Sequence, residues 1–529
     1  MNVETAVDLA INNMQAEGIT DIFERPFEVD LLCEEPYRSD FLSRIVADIK
    51  KHQFTQLDIK PVSHVLVPKS SRQYDYRRAA LISPACSIKY LALSILAAPT
   101  IEANRIPIGQ KVVFSYRFEP HNGMLFSDEG GYNKWREEIV TRRTDEEYDV
   151  VVKCDIASFY DRVNLHRLKS TLESIGIDNW LHTTIDQLLK FWARNDSYGL
   201  PVGGNGSRIL AEAVLIDVDN YLLREGIPFV RFVDDYRLFA KDTVHAQKYL
   251  AQLTSKLFGE GLSLNAAKTV VYQARKMEPE REPVVEPPEL EAPEKIVETF
   301  TLMTGRYNTV PRRFTRPTEE KFAAFKTVDI SEAVETIEEE TIVDFANMQK
   351  ALIAILAQEK YERLEEVDTY IMKCIFGADY IIDMLMKNAE NITAAVRNNI
   401  RKRMAELLCS RFFSEVAWYE VKLVRLLLHE SYKDEEAVYQ YLRSLPRHAS
   451  ELSCLSSLDG FVEGIDRTRA RVIRDTYNTA CEWEKRRIIR IVAASLPREE
   501  ASAWFRAIRT TVDTDIATRL TFTKYQVRG

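Results

Sequence analysis

The chain has 529 residues, of which 46% are hydrophobic and 29% are charged, and its formal net charge is −9. This length exceeds what one hydrophobic core usually supports, so we expect two or three globular domains. The negative charge argues against binding nucleic acid through overall basicity, although a local basic groove remains compatible with it. No apolar run of the roughly 18 residues that a membrane span needs is evident, so we expect no membrane partner.

The cysteines and the N-terminus indicate a cellular compartment. Seven cysteines are scattered along the chain without a Cys-x-x-Cys pair, a pattern typical of buried thiols in a reducing cytosol. The segment Met1–Thr5 has neither the basic nor the apolar region of a secretory signal. These features predict a cytoplasmic protein.

The first chemically informative element is a β-branched run that ends in an acid. Tyr148–Cys154 predicts a strand, and Asp155 follows at its C-terminal end. A lone aspartate at a strand end is more often a solvated surface residue. A functional role for Asp155 therefore depends on further acidic residues that could lie beside it.

A glycine-rich segment comes next. Tyr198–Glu212 holds four glycines within eight residues and then enters a predicted helix near Ser207. Glycine lets the backbone approach a ligand closely, and the free N–H groups at a helix start suit an anion or a base. A tight loop without any ligand is the alternative interpretation.

The third element is a predicted hairpin with two acids at its turn. Apolar β-formers flank Asp234 and Asp235, which lie 79 and 80 residues after Asp155. Adjacent carboxylates repel each other and raise a pKa unless a cation is present. Three carboxylates from two neighbouring strands could hold two Mg²⁺ ions, which suits nucleotidyl transfer.

The composition changes after about residue 276. Met277–Lys295 contains five prolines and seven glutamates, which predicts an extended acidic linker or an acidic surface loop. From about residue 344 onward, apolar residues recur at helical spacing. Two breaks that share Ser-Leu-Pro-Arg, at Ser444 and Ser495, hint at a repeat, although chance explains two copies equally well.

Two basic clusters lie in this helical half, at Arg397–Arg403 and Lys485–Arg487. Such clusters could form a positive track for a single nucleic-acid strand. A solvated helix face is the commoner explanation.

Together, the acidic and glycine-rich segments resemble the palm of reverse transcriptases. Val152–Asp161 resembles the first palm motif and Gly199–Arg208 the second. Phe232–Asp235 resembles the YxDD box, with Phe in place of Tyr, and Gly261–Thr269 resembles the motif that follows it. The resemblance covers roughly residues 60 to 275.

The resemblance implies roles for individual residues. Asp155, Asp234 and Asp235 would be the catalytic metal ligands, joined by the backbone carbonyl of Ile156, with two Mg²⁺ ions that Mn²⁺ can replace. Tyr160 would exclude a 2′-hydroxyl, which implies dNTP substrates. The residues implied in nucleotide binding are Tyr160, Lys69, Arg72, Arg77, Arg78, Gly203, Ser207, Arg208 and Lys268. Four of these lie upstream, where family members place fingers residues that clamp the triphosphate, namely Lys69, Arg72, Arg77 and Arg78. A solvated basic face is the alternative interpretation of these four.

The chain differs from the usual reverse transcriptase motifs at several positions. Val202 stands where many members carry Gln, and Gly204–Arg208 replaces a commoner Ser-Pro-x-Ser pattern. No basic, thumb-like helix is evident after residue 275. These departures point away from retroviral and intron enzymes. A shortened palm and fingers joined to a helical half is similar to bacterial defence-associated reverse transcriptases, and Ser207–Glu212 resembles those of the abortive-infection type.

That similarity implies a fold and its boundaries. We expect α+β fingers and palm of a thumb-less right hand, followed by an all-α helical-repeat domain similar to a HEAT solenoid. The predicted segments are an N-terminal helical part of the fingers at 1–60, fingers and palm at 61–276, the acidic linker at 277–296 and the helical repeats at 297–529.

The similarity also implies a function. We expect an anti-phage DNA polymerase of the bacterial cytoplasm that adds dNTPs without a template, primed by one of its own tyrosines, which the sequence does not identify. Its single-stranded DNA product would stay covalently attached, and the chain would form a trimer or hexamer. The alternatives are a templated reverse transcriptase that copies a partner non-coding RNA and a catalytically idle scaffold.

Overall fold

The computed structural model describes residues 1–276 and 314–526, except for 21, 71–72, 128–129, 195, 315, 318, 447–448 and 513–514. The predicted linker at 277–296 and Arg72 lie outside the described residues. The chain divides into two compact units, one formed by Met1–Val62 with Ile82–Arg306 and the other by Ser63–Leu81 with Tyr307–Gly529.

The strands and helices are numbered separately in chain order. The strands are β1 (Ser63–Ser70), β2 (Gln73–Leu81), β3 (Phe118–His121), β4 (Met124–Phe126), β5 (Val150–Asp155), β6 (Phe229–Phe232), β7 (Asp235–Ala240) and β8 (Val270–Gln273). The helices of the first unit are α1 (Val3–Glu17), α2 (Phe27–Cys33), α3 (Tyr37–Ile49), α4 (Pro84–Asn104), α5 (Tyr132–Arg143), α6 (Phe159–Arg162), α7 (Leu165–Ser174), α8 (Asn179–Trp192), α9 (Asn205–Val214), α10 (Ile216–Arg224) and α11 (Thr243–Gly259). Those of the second unit are α12 (Glu319–Ala324), α13 (Ile330–Glu339), α14 (Phe345–Ala357), α15 (Val367–Lys373), α16 (Ala378–Lys387), α17 (Ala394–Cys409), α18 (Ala417–Leu428), α19 (Glu435–Ser444), α20 (Glu451–Asp459), α21 (Arg467–Asp475), α22 (Glu482–Ser495), α23 (Arg498–Ile508) and α24 (Ile516–Gln526).

The first unit is built around a four-stranded antiparallel sheet in the order β6-β7-β5-β8. The β-branched run at the start of β5 favours an extended backbone, and Val151 and Val152 are fully buried. Helix α11 packs on β5 and β7, and α5 packs on β6. This packing fixes the C-terminal end of β5 beside the β6–β7 turn, as the sequence predicts. The mixture of this sheet with flanking helices agrees with the predicted α+β architecture.

Helix α4 forms the apolar centre of the helices beside this sheet. It packs on α1, α8 and α9. Among the described helices, α4 alone is long and apolar enough to cross a membrane by length and composition, so the expectation of no such run was wrong. However, 83% of its apolar window is buried inside the structure. One such helix is weak support for a membrane span, because buried core helices meet the same criteria.

The second unit is mostly helical, which confirms the helical C-terminal region. Within it α16, α18, α20, α22 and α24 pack in succession, each on the next helix of this series. The β1–β2 hairpin belongs to this unit, and β1 packs on α18. A HEAT-like solenoid stays a prediction.

The structure changes the interpretation of the Lys485–Arg487 cluster. Arg486 is fully buried and donates to Asp515 at 3.0 Å, while Arg487 is 2% exposed and pairs with Asp459 at 2.9 Å. Both guanidinium groups lie over the ring of Trp483. These two arginines therefore stabilise the core of the helical unit. The hypothesis that this cluster forms a track for nucleic acid is wrong.

The cysteines are only partly as expected. All seven are free thiols, and Cys86, Cys154 and Cys374 are buried. Cys409 is exposed, so the prediction of buried thiols is wrong at that position.

Candidate active site

The three predicted carboxylates lie together at one end of the palm sheet. Asp155 ends β5 and stands opposite Asp235, the first residue of β7, while Asp234 occupies the turn before it. One carboxylate oxygen from each residue lies within 4.8 Å of the other two. Among the residues that the structure describes, no other group of three His, Cys, Asp or Glu side chains meets this criterion.

The turn that carries Asp234 has an unusual backbone. β6 ends at Phe232 and β7 begins at Asp235, which leaves Val233 and Asp234 as the two central residues. Val233 has a φ of +55°, a left-handed conformation that is an outlier for a β-branched residue and favours glycine. Holding a residue there costs on the order of 1–3 kcal/mol, which the surrounding structure has to offset.

Asp234 has a strongly perturbed ionisation. Burial first, and then the negative charges of Asp235 and Asp155, raise its pKa to about 7. Two cations lie near its neighbours: Lys268 Nζ is 3.2 Å from Asp155 Oδ2, and Arg237 Nη1 is 3.6 Å from Asp235 Oδ1. At Asp234, burial and the two neighbouring carboxylates thus outweigh the Lys268 charge, which lowers the pKa.

This donor set fits divalent cations. Carboxylate oxygens are hard ligands of the kind that Mg²⁺ and Mn²⁺ take in proteins. The negative charges of Asp155 and Asp235 beside Asp234 favour a cation bound among the three carboxylates. Ile156, whose carbonyl is a further predicted ligand, lies beside the trio, and its N–H donates to the backbone carbonyl of Asp234 at 3.1 Å.

Asn265 supports Asp155 from the neighbouring loop. Its backbone N–H donates to the Asp155 carbonyl oxygen at 2.7 Å, and its Nδ2 lies 3.3 Å from Asp155 Oδ2. Asn265 belongs to the Gly261–Thr269 motif, and the resemblance implied no role for it. The structure makes it a direct support of Asp155.

Tyr160 and Arg208 lie in one polar cluster beside the carboxylates. Burial is the main cause that raises the pKa of the Tyr160 hydroxyl well above its usual value; Tyr116 and Asp234 raise it further, and the Arg208 charge opposes them. The Arg208 guanidinium lies 5.5 Å from the ring centre of Tyr116 and donates to Asn205 Oδ1 at 2.7 Å. The structure therefore places Tyr160 near Asp234, and Arg208 near Tyr160.

The glycine-rich turn is tightly packed. Gly203 has a φ of +118°, and a Cβ there would lie 2.5 Å from Thr20 Oγ1. Ser207 is 1% exposed, and its hydroxyl donates to the Pro201 carbonyl at 2.5 Å and lies 3.0 Å from Tyr90 Oη. Ser207 thus holds the turn in place, and the structure gives no support to its predicted contact with a nucleotide.

Gly203→Ala is expected to destabilise the protein and to lower its activity. An alanine meets both a left-handed backbone and a contact too short for any real Cβ, so we expect a loss of about 1–3 kcal/mol or more. Gly109→Ala is the matched control, because a Cβ at Gly109 would have no heavy atom within 4 Å. Chemical denaturation of both variants tests this, and equal stability of the two would contradict it.

The described residues among the predicted fingers residues belong to the second unit. Lys69, Arg77 and Arg78 are on the β1–β2 hairpin, which groups with the helical unit. Lys69 pairs with Asp75, and Arg78 lies 3.2 Å from a ring nitrogen of His64. Their predicted contact with a triphosphate stays a prediction.

A buried ion network behind the turn was missed by the sequence analysis. Arg231 is fully buried and bonds to Asp219 and Glu212, and Glu212 also accepts from Arg105 at 2.7 Å and from Ser115 at 2.5 Å. Burial acts to raise the pKa of Glu212, but the two arginines outweigh it and lower that pKa. The available signal was an arginine between the apolar residues of β6, since a buried charge requires partners.

Comparisons with known proteins agree with this geometry. The family model described as "Reverse transcriptase (RNA-dependent DNA polymerase)" matches residues 109–286, which include all three carboxylates. No curated protein matches the chain significantly.

Solved structures with a partial likeness include two telomerases. Apo telomerase from Candida tropicalis has 12% identity over 74% of this chain and 68% of that chain, with a TM-score of 0.32. Telomerase from Candida albicans in complex with a TWJ fragment of telomeric RNA has 13% identity over 79% and 70%, with a TM-score of 0.30. Likeness at these scores supports no conclusion about this chain.

The family match and the carboxylate geometry therefore agree on one part of the molecule. The chain carries a reverse transcriptase domain at residues 109–286, and it is a nucleotidyltransferase of the RNA-directed DNA polymerase type.

Proposed function

We propose that the chain is a DNA polymerase that uses dNTPs and two Mg²⁺ ions held by Asp155, Asp234 and Asp235, with Mn²⁺ as a substitute. The observation that carries the proposal is the convergence of three carboxylate oxygens within 4.8 Å at one end of the palm sheet. When bound, two such cations activate an attacking hydroxyl and stabilise the leaving pyrophosphate.

The residues around the carboxylates would bind and orient the reactants. Asp155 and Asp234 would be the principal ligands, and Asp235 would support the second cation. Lys268, which is half exposed and pairs with Asp155 in this structure, would bind the triphosphate. Asn265 would keep the Asp155 carboxylate oriented through its two contacts.

Tyr160→Ala is expected to let the enzyme use ribonucleotides. In the proposal the Tyr160 ring occupies the space of a 2′-hydroxyl, so its removal should raise the rNTP to dNTP ratio of kcat/KM by about 10–100-fold. Tyr160→Phe keeps the ring and should keep the discrimination. Steady-state incorporation of matched rNTP and dNTP pairs measures this ratio. An unchanged rNTP to dNTP ratio in Tyr160→Ala would contradict the role of Tyr160 in discriminating against ribonucleotides.

We further propose that synthesis is untemplated, is primed by a tyrosine of the chain and serves anti-phage defence. The resemblance to abortive-infection reverse transcriptases supports this, as does Val202 in place of the usual Gln. The proposal includes a trimer or hexamer and a helical-repeat second unit. Templated copying of a partner non-coding RNA is the competing function.

An assay with and without nucleic acid separates the two functions. The purified full-length protein is incubated with Mg²⁺ and each labelled dNTP, with no nucleic acid or with an RNA template and DNA primer. Nuclease-sensitive label that migrates with the protein, without added nucleic acid, is the result we expect. Incorporation only in the presence of RNA would overturn self-priming. Loss of phage resistance in cells carrying Asp234→Asn tests the defence role.

A further inference from the structure

Arg231 lies directly behind the turn that carries Asp234. Its Nη1 donates to the carbonyl oxygen of Val233 at 2.8 Å, one residue before Asp234. Its Nε and Nη2 donate to Asp219 at 2.9 and 2.6 Å, and Nη2 also donates to Glu212 at 2.9 Å. A guanidinium is planar and presents its donors in fixed directions, so the two carboxylates determine where Nη1 points.

The backbone of Arg231 is held as firmly as its side chain. Its N–H donates to the Val112 carbonyl at 2.8 Å, and its own carbonyl accepts from the Phe114 N–H at 3.1 Å. The guanidinium therefore starts from a fixed strand and ends on two buried carboxylates. A bond made from such a rigid base can hold a neighbouring peptide in one orientation.

The carbonyl that Arg231 holds belongs to Val233, whose backbone conformation is unfavourable. Val233 is the left-handed residue of the turn, with a φ of +55°, which a β-branched residue rarely adopts. The direction of the Val233 carbonyl sets the direction in which the following residue leaves the turn. The hydrogen bond from Arg231 to Val233 thus connects the residue before Asp234 to the buried ion network.

We propose that Arg231 is a positioning residue for the metal site, acting through the Val233 carbonyl to hold Asp234 where divalent cations bind. This inference deepens the proposed function and rests on it. Groups that orient metal ligands typically change metal affinity by about 10–100-fold when they are removed. A purely structural role for Arg231 would change stability and leave metal affinity alone.

The test measures Mn²⁺ binding and thermal stability on the full-length protein. Mn²⁺ alone is titrated into wild type, Arg231→Lys and Tyr236→Phe by calorimetry, far below their melting temperatures. Lysine keeps the charge, but one ammonium cannot reach Asp219, Glu212 and Val233 in the directions that the guanidinium supplies. We expect Arg231→Lys to weaken Mn²⁺ binding by about 10–100-fold.

Tyr236→Phe is the matched control because it loosens the same network on its far side. The Tyr236 hydroxyl donates to Asp219 at 3.0 Å, and its loss leaves the bond from Arg231 to Val233 intact. We expect a lower melting temperature with an unchanged Mn²⁺ affinity. Equal losses of affinity in both variants would indicate general loosening and overturn the positioning role.

A second substitution tests the route through the turn. Glycine adopts a positive φ without steric cost, so adding Val233→Gly to Arg231→Lys should restore part of the lost Mn²⁺ affinity. Should Arg231→Lys fail to fold, Asp219→Asn takes its place, since it keeps the side-chain shape and loosens Arg231 without removing it. It should weaken Mn²⁺ binding more than Tyr236→Phe does.

The outcomes separate this inference from the proposed function. A wild-type protein that binds no Mn²⁺ overturns the proposed function and the inference with it. A wild-type protein that binds Mn²⁺ no better than Arg231→Lys overturns the positioning role alone. The same holds for Asp219→Asn where it replaces Arg231→Lys.

Discussion

Asp234→Asn is expected to abolish DNA synthesis while making the metal-free protein more stable. The substitution removes a proposed ligand of cations that supply several kcal/mol of transition-state stabilisation, so we expect a loss of at least about 10³-fold in kcat. It also removes a charge that burial and two neighbouring carboxylates disfavour. Activity falls while stability rises because the three carboxylates repel one another without cations and are needed to bind them.

The stability gain should depend on pH in a defined direction. The pKa of Asp234 is raised in the folded state from 3.8 to about 7, so folding takes up a proton between these values. Wild-type stability should therefore fall as pH rises from about 4 to about 7, and Asp234→Asn should escape this fall. Because Asp234 is half-buried, solvent screens its charge. We therefore expect the free energy of unfolding to fall by about 1–3 kcal/mol by pH 7 and above.

Melting curves of metal-free wild type and Asp234→Asn across this pH range measure the effect. Asp217→Asn is the control, because Asp217 is exposed on α10 and its removal changes the net charge equally. Added Mg²⁺ should stabilise wild type and leave Asp234→Asn nearly unchanged. Equal melting temperatures of wild type and Asp234→Asn at pH 8 would contradict the electrostatic account.

Glu212→Ala is expected to be the most destabilising single substitution in the first unit among those considered. Glu212 is 2% exposed and accepts hydrogen bonds from both Arg105 and Arg231. Its removal leaves two buried guanidinium groups short of a counter-charge, and breaking a buried pair in this way costs about 3–5 kcal/mol. Chemical denaturation should show this loss directly.

Glu225→Ala serves as the control for Glu212→Ala. Glu225 is exposed at the end of α10, and surface substitutions usually change stability by less than about 0.5 kcal/mol. A loss of similar size in both variants would mean that the buried network contributes nothing beyond an ordinary surface glutamate.

The catalytic end of the palm could be predicted from the sequence because its signals are local. A β-branched run ends in Asp155, and an apolar hairpin carries Asp234 and Asp235 at its turn. Antiparallel pairing of β5 with β7 then brings the acids together, although 79 residues separate Asp155 from Asp234. The helical period of the second unit is equally local, which is why its helices were predicted.

The remaining features depend on packing between distant segments. Nothing local shows that the β1–β2 hairpin groups with the helical unit, that Ser207 is buried or that Arg486 pairs with Asp515. The role of Arg231 depends on Asp219 and Glu212, which reach it from two helices. Charged residues in apolar strands signal such partners but do not identify them.

The central claim is that Asp155, Asp234 and Asp235 bind the cations of nucleotidyl transfer. A crystal structure of the full-length protein with Mn²⁺ and a non-hydrolysable dNTP tests it most directly, because Mn²⁺ is located by its anomalous signal. The account predicts Mn²⁺ bound by carboxylate oxygens of Asp155 and Asp234, with the triphosphate on the same ions. Mn²⁺ and triphosphate bound away from these carboxylates would contradict it.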